Sequence, residues 1–182
     1  MNLGETYVLD GIDRQLLDAL QSDSKRSLKE IGSAVGLSAP SVMERVRKLE
    51  NAGVIRGYHA LLDARKVGLD TSAFIGVSVS NPQQISEFEI WVESIPQVLE
   101  CHHVTGGHTL LLKVKTQNTA DLEKLISRIR SMEGVAGTET MVVLSTHTER
   151  VEVALPQGEP ASETRRRKRP RRKSDPAAHR AS

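Results

Sequence analysis

Between Ser38 and Lys48 the chain reads "SAPSVMERVRK", where short or hydroxyl-bearing residues are followed by basic ones. On a helix Ser41, Arg45 and Lys48 fall on one face, because positions three and four apart lie one above the other. Small polar residues at a helix N-terminus permit close approach to a groove, and basic side chains one turn further on can reach base edges or phosphates. Ser38, Ser41 and Arg45 are candidates for the base-facing edge on double-stranded DNA, with Ala39 beside them at the helix start. Arg47, Lys48 and, from the preceding segment, Lys29 are candidates for phosphate contact; Lys25 and Arg26 are weaker ones. A solvated surface helix carries similar charges, so the surroundings of the stretch decide between the two readings.

A second cluster, Cys101, His102, His103 and His108, holds metal-ligating and nucleophilic residue types. In an extended strand Cys101 and His103 share a face and His102 points the other way. No fourth ligand stands at zinc-finger spacing, and no base-orienting group or oxyanion loop accompanies the thiol. The expectation is therefore no metal, no cofactor and no catalytic residue.

The elements that position these residues are legible from caps and periodicity. Asp10 is placed as an N-cap with Asp13 in the first turn, ahead of Ile12, Leu16, Leu17 and Leu20 at helical spacing. Ser27 and Glu30 match a capping box over a stripe of Leu28, Ile31 and Val35, and Gly36 supplies the stop. Ser38 caps the next helix, with Pro40 in its first turn and Val42, Val46 and Leu49 as its buried face. Residues 54–62, "VIRGYHALL", alternate as a strand, which completes a winged helix-turn-helix pattern.

Beyond "DARKVGLD" the period changes. Residues 73–79, 98–104, 109–115 and 138–146 read as strands, the last with Thr140, Val142 and Leu144 on one side. Helices are expected around Ile85, Phe88, Val92 and Ile95, and around Leu122 to Met132. The order βαββαβ is that of a ferredoxin-like α+β domain with both helices on one face of an antiparallel sheet. Its other face needs a partner, which a second copy of the chain can supply. The expected boundaries are 1–60 for the helix-turn-helix domain, 61–70 for a linker, 71–155 for the ferredoxin-like domain and 156–182 for a disordered basic tail.

The net charge of +2 conceals an asymmetry. From Pro156 on there are nine Lys and Arg against three Asp and Glu, a net of +6, and eight of the nine basic residues lie in "RRRKRPRRK", residues 165–173. Residues 1–66 carry ten basic and nine acidic residues, and residues 67–155 six and eleven. Only the first segment and the tail suit a polyanion. The tail reads either as a solvated extension or as an auxiliary DNA arm whose loss weakens binding to all sequences alike. No apolar run approaches the roughly 18 residues that cross a bilayer, the N-terminus does not read as a secretory signal, and one cysteine suits a reducing compartment. A cytoplasmic, nucleoid-associated protein without a membrane partner is expected.

Taken in order, "LDGIDRQLLDALQSD", "LKEIGSAVGLSAPSVMERVRKLENAGVIRGYHALLD", "ECHHVTGG", "LLLKV" and "GVAGTETMVVLSTH" resemble the Lrp/AsnC, or feast/famine, transcriptional regulators, from about Leu9 to about Val151. The resemblance implies an N-terminal helix-turn-helix on operator DNA and a C-terminal domain that dimerises, assembles further into tetramers or octamers, and senses a small molecule, usually an amino acid. It places the effector at Gly106, Gly107, His108 and Thr109, with Thr138 and Thr140 nearby; as residues alone the two threonines are equally ordinary strand residues. The sequence departs from the family where Gly107 and Thr109 stand at positions usually held by carboxylates. Three readings stand: a ligand held by His108, backbone groups and hydroxyls, a ligand other than an amino acid, or no effector. The leading expectation is a sequence-specific, effector-modulated regulator. The alternatives are an architectural, nucleoid-like DNA-coating protein and an enzyme like the sirohaem decarboxylases that resemble this fold.

Overall fold

The computed structural model describes residues 7–156. They form two compact units, residues 7–58 together with 151–156, and His59–Arg150. The expected tail lies, Pro156 apart, outside the described residues.

The first unit is built on three capped helices: α1 (Gly11–Ser22), α2 (Leu28–Val35) and α3 (Ala39–Asn51). Asp10 and Asp13 form a reciprocal capping box, in which each side chain accepts from the other's backbone N–H. Ser27 and Glu30 do the same for α2, and Ser38 accepts from the Ser41 N–H at the start of α3. Gly36 ends α2 in the left-handed region at φ 72°, where a side chain is strained, and the chain turns directly into α3. Leu16, Ile31, Val42 and Val46 make the core, with Leu28, Val35 and Ile55 packed against it.

Residues 54–62 correct the expectation of a wing. Val54 and Ile55 turn back to donate to the Leu49 carbonyl, and the segment belongs to no ladder of the described chain. A strand exists only through hydrogen bonds to a neighbour, and alternation alone provides none.

The second unit holds β1 (Thr71–Val79), α4 (Ile85–Glu93), β2 (Val98–His103), β3 (Leu110–Thr116), α5 (Thr119–Arg130) and β4 (Val135–Val142). The antiparallel sheet has the order β2-β3-β1-β4. Ala73, Ile75 and Val77 of β1 and Leu110, Leu112 and Val114 of β3 bury one face against Phe88 and Val92 of α4 and Leu122, Leu125 and Ile129 of α5. The opposite face carries the half-buried Phe74 and Leu111 and the exposed Met141 beside Lys113, which pairs with Glu100 at 3.1 Å and Glu149 at 3.2 Å. No other layer of regular structure covers that face within the described chain.

Two boundaries differ from expectation. β4 begins and ends earlier than the expected 138–146, because its partner β1 starts at Thr71: past Val143, whose N–H reaches Ser72, no residues remain to pair with, and Leu144 is exposed. Residues 61–70, expected as a linker, group with the sheet unit and contain a 3-10 turn at Arg65–Val67, whereas residues 151–155 group with the helices.

Candidate nucleic-acid interface and effector loop

α3 presents its N-terminus openly. Ser38 and Ser41 are exposed, with their hydroxyls 2.8 Å apart, and Ala39 begins the first turn between them. Each hydroxyl keeps donor or acceptor capacity for an incoming group. One and two turns on, Arg47 and Lys48 are exposed. Lys48 pairs with Glu44 at 2.8 Å, and that hydrogen bond, more than the charge attraction, raises the ammonium's pKa and lowers that of the carboxylate. Arg47 and Lys29 have no ion pair among the described residues.

Arg45 departs from the expectation of a base-facing side chain. Its Nη1 donates to Asp10 Oδ2 and Asp13 Oδ1, both at 2.7 Å, and Asp13 is buried. The guanidinium thus closes the acidic N-terminus of α1 against the middle of α3, and hydrogen bonds to Asp10 and then Asp13 raise its pKa. The capping bond from the Asp13 backbone, followed by Arg45, lowers the pKa of Asp10. Helical spacing correctly placed Arg45 beside Ser41 and Lys48. It could not tell that two carboxylates 32 and 35 residues away would claim the charge.

At the other candidate site, residues 104–109 turn β2 into β3. Thr109 is tied to β1 twice, its N–H donating to Val77 and its hydroxyl accepting from the Val79 N–H. Gly106 takes φ 118° at the tip, with Gly107 next to it. His108 lies flat over Gly76: a Cβ there would meet its ring at 2.4 to 2.8 Å, so only glycine leaves room. Its Nε2 is 2.9 Å from Glu139 and its Nδ1 3.4 Å from the Ser78 hydroxyl.

The loop residues 106–109 thus gather at one end of β1. Thr138 and Thr140 do not join them on that face: they pair with the core residues Val77 and Ile75, and Thr138 accepts from Arg130 at the end of α5. Alternation puts Glu139 on the His108 side instead. Glu139, Ser78 and Gly76 are the neighbours that sequence reasoning missed. The signal for Glu139 was a lone carboxylate between two threonines, which alternation places on the face opposite to theirs.

Cys101 and His103 do share the helix side of β2, while His102 on the other side pairs with Glu100 at 3.1 Å. His103 lies 3.7 Å from Glu89 of α4. Burial, and then the Glu89 charge, pushes the Cys101 thiol up, which opposes a nucleophilic thiolate. Among the described residues no three His, Cys, Asp or Glu side chains could hold a metal ion. No helix among them is long and apolar enough to cross a membrane.

The AsnC-type helix-turn-helix domain model matches residues 9–50, which span α1 to α3, and the Lrp/AsnC ligand binding domain model matches residues 72–153. The HTH-type transcriptional regulator FL11 of Pyrococcus horikoshii is 36% identical over 147 residues, 81% of this chain and 97% of that protein. The chain belongs to the Lrp/AsnC family. It is a transcriptional regulator of the Lrp/AsnC type, a non-enzymatic family. The regulator LrpA of Mycobacterium tuberculosis is 34% identical over 78% of the chain and 95% of its own length. Among solved structures, Escherichia coli AsnC superposes with a TM-score of 0.75 at 27% identity, covering 80% of this chain and 99% of its own. A feast or famine regulatory protein from M. tuberculosis, complexed with L-methionine, gives a TM-score of 0.75 at 34% identity over 80% of this chain and 99% of its own. These relatives are Lrp/AsnC regulators, which favours neither the architectural nor the decarboxylase-like alternative.

Proposed function

We propose that this Lrp/AsnC regulator reads operator DNA with the N-terminal half of α3. Ser38, Ala39 and Ser41 face base edges, while Arg47, Lys48 and Lys29 hold phosphates. The observation that carries the reading is the open, hydroxyl-bearing start of α3 in a helix-turn-helix whose caps are all formed. Arg45 acts as the clasp that holds α3 to α1. Residues 7–58 serve as the DNA-binding part and residues 71–150 as the sensing and assembly part, in the cytoplasm where the DNA is.

The DNA-binding unit is a homodimer. The uncovered sheet face, apolar at Phe74, Leu111 and Met141, supports this, because an apolar patch of that kind is stabilised by a second copy. Two copies of α3 then address half-sites roughly 34 Å apart along the duplex. Assembly of dimers into tetramers or octamers extends the same contacts.

The effector is an amino acid or a related small metabolite, as the methionine complex of the M. tuberculosis relative suggests. It binds at residues 106–109 with His108 as its polar contact, and Glu139 supplies the carboxylate that Gly107 and Thr109 do not. Thr138 and Thr140 support the strand from the other face.

Selection of bound duplexes from a random-sequence library tests the DNA reading. The expected result is a two-fold related site one helical turn between halves, with a bounded footprint; uniform protection without a consensus contradicts it. A thermal-unfolding panel with each amino acid tests the effector: at ~100 times its dissociation constant a ligand stabilises the native state by about 2.7 kcal/mol. Silence across the panel removes amino acids as the effector class.

A further inference from the structure

A cleft of about 460 Å³ opens in the sheet unit between Leu69, Gln97, Thr116 at the end of β3, and Lys124, Leu125 and Arg128 of α5. Thr116 shares its strand face with Leu112 and Val114, which pack against the helices, so the cleft belongs to the helix side and not to the open face assigned to a second copy. It is also remote from the effector loop, because β3 rises ~20 Å between Leu110 and Thr116. Gln97 and Thr116 stand at the open end of the β2–β3 hairpin, whose closed end is that loop.

Two observations in the cleft point to a ligand. The first is an unsatisfied acceptor. The Lys115 N–H donates to the Gln97 carbonyl at 3.0 Å and ties that backbone to β3, yet the side-chain Oε1 of Gln97 is closed to solvent and accepts no hydrogen bond among the described residues. A buried carbonyl oxygen in that state costs stability, and a bound N–H or O–H donor removes the cost. The second is an uncommitted guanidinium. Arg128 rests over the Trp91 indole, 5.8 Å from the ring centroid, and takes part in none of the ion pairs of the described residues. Lys124, one turn earlier on the same face of α5, pairs with Asp121 at 2.9 Å. Two cations and one carboxylate thus leave a single positive charge for a ligand.

From this arrangement we infer that the cleft is a second small-molecule site, which takes a carboxylate carrying a hydroxyl or amino donor. The carboxylate meets the planar fork of Arg128 with Lys124 beside it, the donor meets Gln97 Oε1, and Leu69 and Leu125 take the carbon skeleton. The ligand grips the hairpin at the end opposite the effector loop and shares no residue with it.

Trp91, the single tryptophan of the chain, reports on Arg128. The full chain is titrated with lactate, L-alanine, propionate and inorganic phosphate; the first three share a carboxylate and skeleton and differ only in the group on the second carbon. Indole fluorescence and the indole N–H resonance are followed in wild type, Gln97→Met, Arg128→Gln and His108→Ala. In wild type, lactate or alanine is expected to move both signals saturably, with propionate and phosphate at least ~10-fold weaker; which of the two binds separates the hydroxyl from the amino donor. Gln97→Met is expected to keep or raise the thermal midpoint, since it removes an unsatisfied acceptor, and to bring lactate and alanine down to the level of propionate. Arg128→Gln should weaken binding at least ~10-fold, and His108→Ala should leave it unchanged. The inference is overturned by the absence of a saturable response to both lactate and alanine, by propionate or phosphate binding as tightly, or by a lowered midpoint in Gln97→Met. Loss of the response in His108→Ala places the ligand at residues 106–109, which overturns the second site and supports the loop. An intact response in that variant, with no amino acid perturbing the His108 resonance of wild type, upholds the second site and sinks the reading of the loop.

Discussion

The helical unit and the sheet unit are stabilised by different means. Among the described residues the sheet unit buries twelve apolar residues between four strands and two helices, while the helical unit buries six and adds a charged clasp, Arg45 with Asp10 and Asp13. One unit is fastened by packing, and the other also by a polar contact between its first and third helices. The same contact redirects the one arginine that spacing alone would assign to base readout. A DNA-binding face is thus defined as much by which charges the fold consumes as by which it displays.

The largest effect that sharpens this contrast is expected in the sheet unit. Phe88 is buried against Trp91, with ring centroids 5.7 Å apart, and Phe88→Ala should cost about 3 to 5 kcal/mol in denaturant unfolding. A loss below ~1 kcal/mol would show that the core there is loosely packed.

Next comes the clasp. Arg45→Ala leaves Asp13 buried with its charge unpaired and should destabilise the helical unit by about 1 to 3 kcal/mol, several times more than Arg47→Ala, as read by hydrogen exchange of α1 and α3. Equal losses in the two variants would dissolve the distinction between them. The pH dependence has a definite sign. The pKa of Asp10 in the fold lies below its ordinary value of 3.8, so its contribution is present above 3.8 and is lost as pH falls through the lower folded value. The gap in thermal midpoint between wild type and Asp10→Asn should therefore close on acidification below about pH 4. A gap that persists into stronger acid is the opposing result.

A smaller effect is expected at the effector loop. Gly76→Ala drives a methyl into the His108 ring and should cost about 1 kcal/mol while displacing residues 106–109, visible as changed imidazole chemical shifts. An unmoved His108 resonance would mean that the loop does not rest on β1. The smallest concerns Glu44→Gln, which releases Lys48 from its ion pair. Stability should change little, because both groups are exposed and screened, and affinity for any duplex should rise a few-fold. Weaker binding in that variant would place Lys48 away from the phosphates.

How far these features were legible follows from the range of the interactions that make them. The caps at Asp10, Ser27 and Ser38, the stop at Gly36 and the buried stripe of α3 are set within four residues, and local spacing reveals them. The βαββαβ order was equally readable, since alternation and helical period change visibly along the chain. What escaped depended on distant partners. The extended 54–62 segment found no strand to pair with, and β4 stopped where β1 ran out. Arg45 was claimed by carboxylates more than thirty residues earlier, and Val153 by Gln21 at a separation of 132. At the effector loop, residues 106–109 were identified, but Glu139 was not, because its relation to His108 exists only through the register of β1 with β4.

The most direct test of α3 as the reading element is a salt titration of wild type, Arg45→Ala and the double variant Arg47→Ala with Lys48→Ala on a library-selected operator duplex. The double variant is predicted to bind at least ~10-fold more weakly, with a salt slope smaller by about 2, while folded Arg45→Ala keeps the wild-type slope. An unchanged slope in the double variant, or a loss of base discrimination in Arg45→Ala at full occupancy of its fold, would contradict the account.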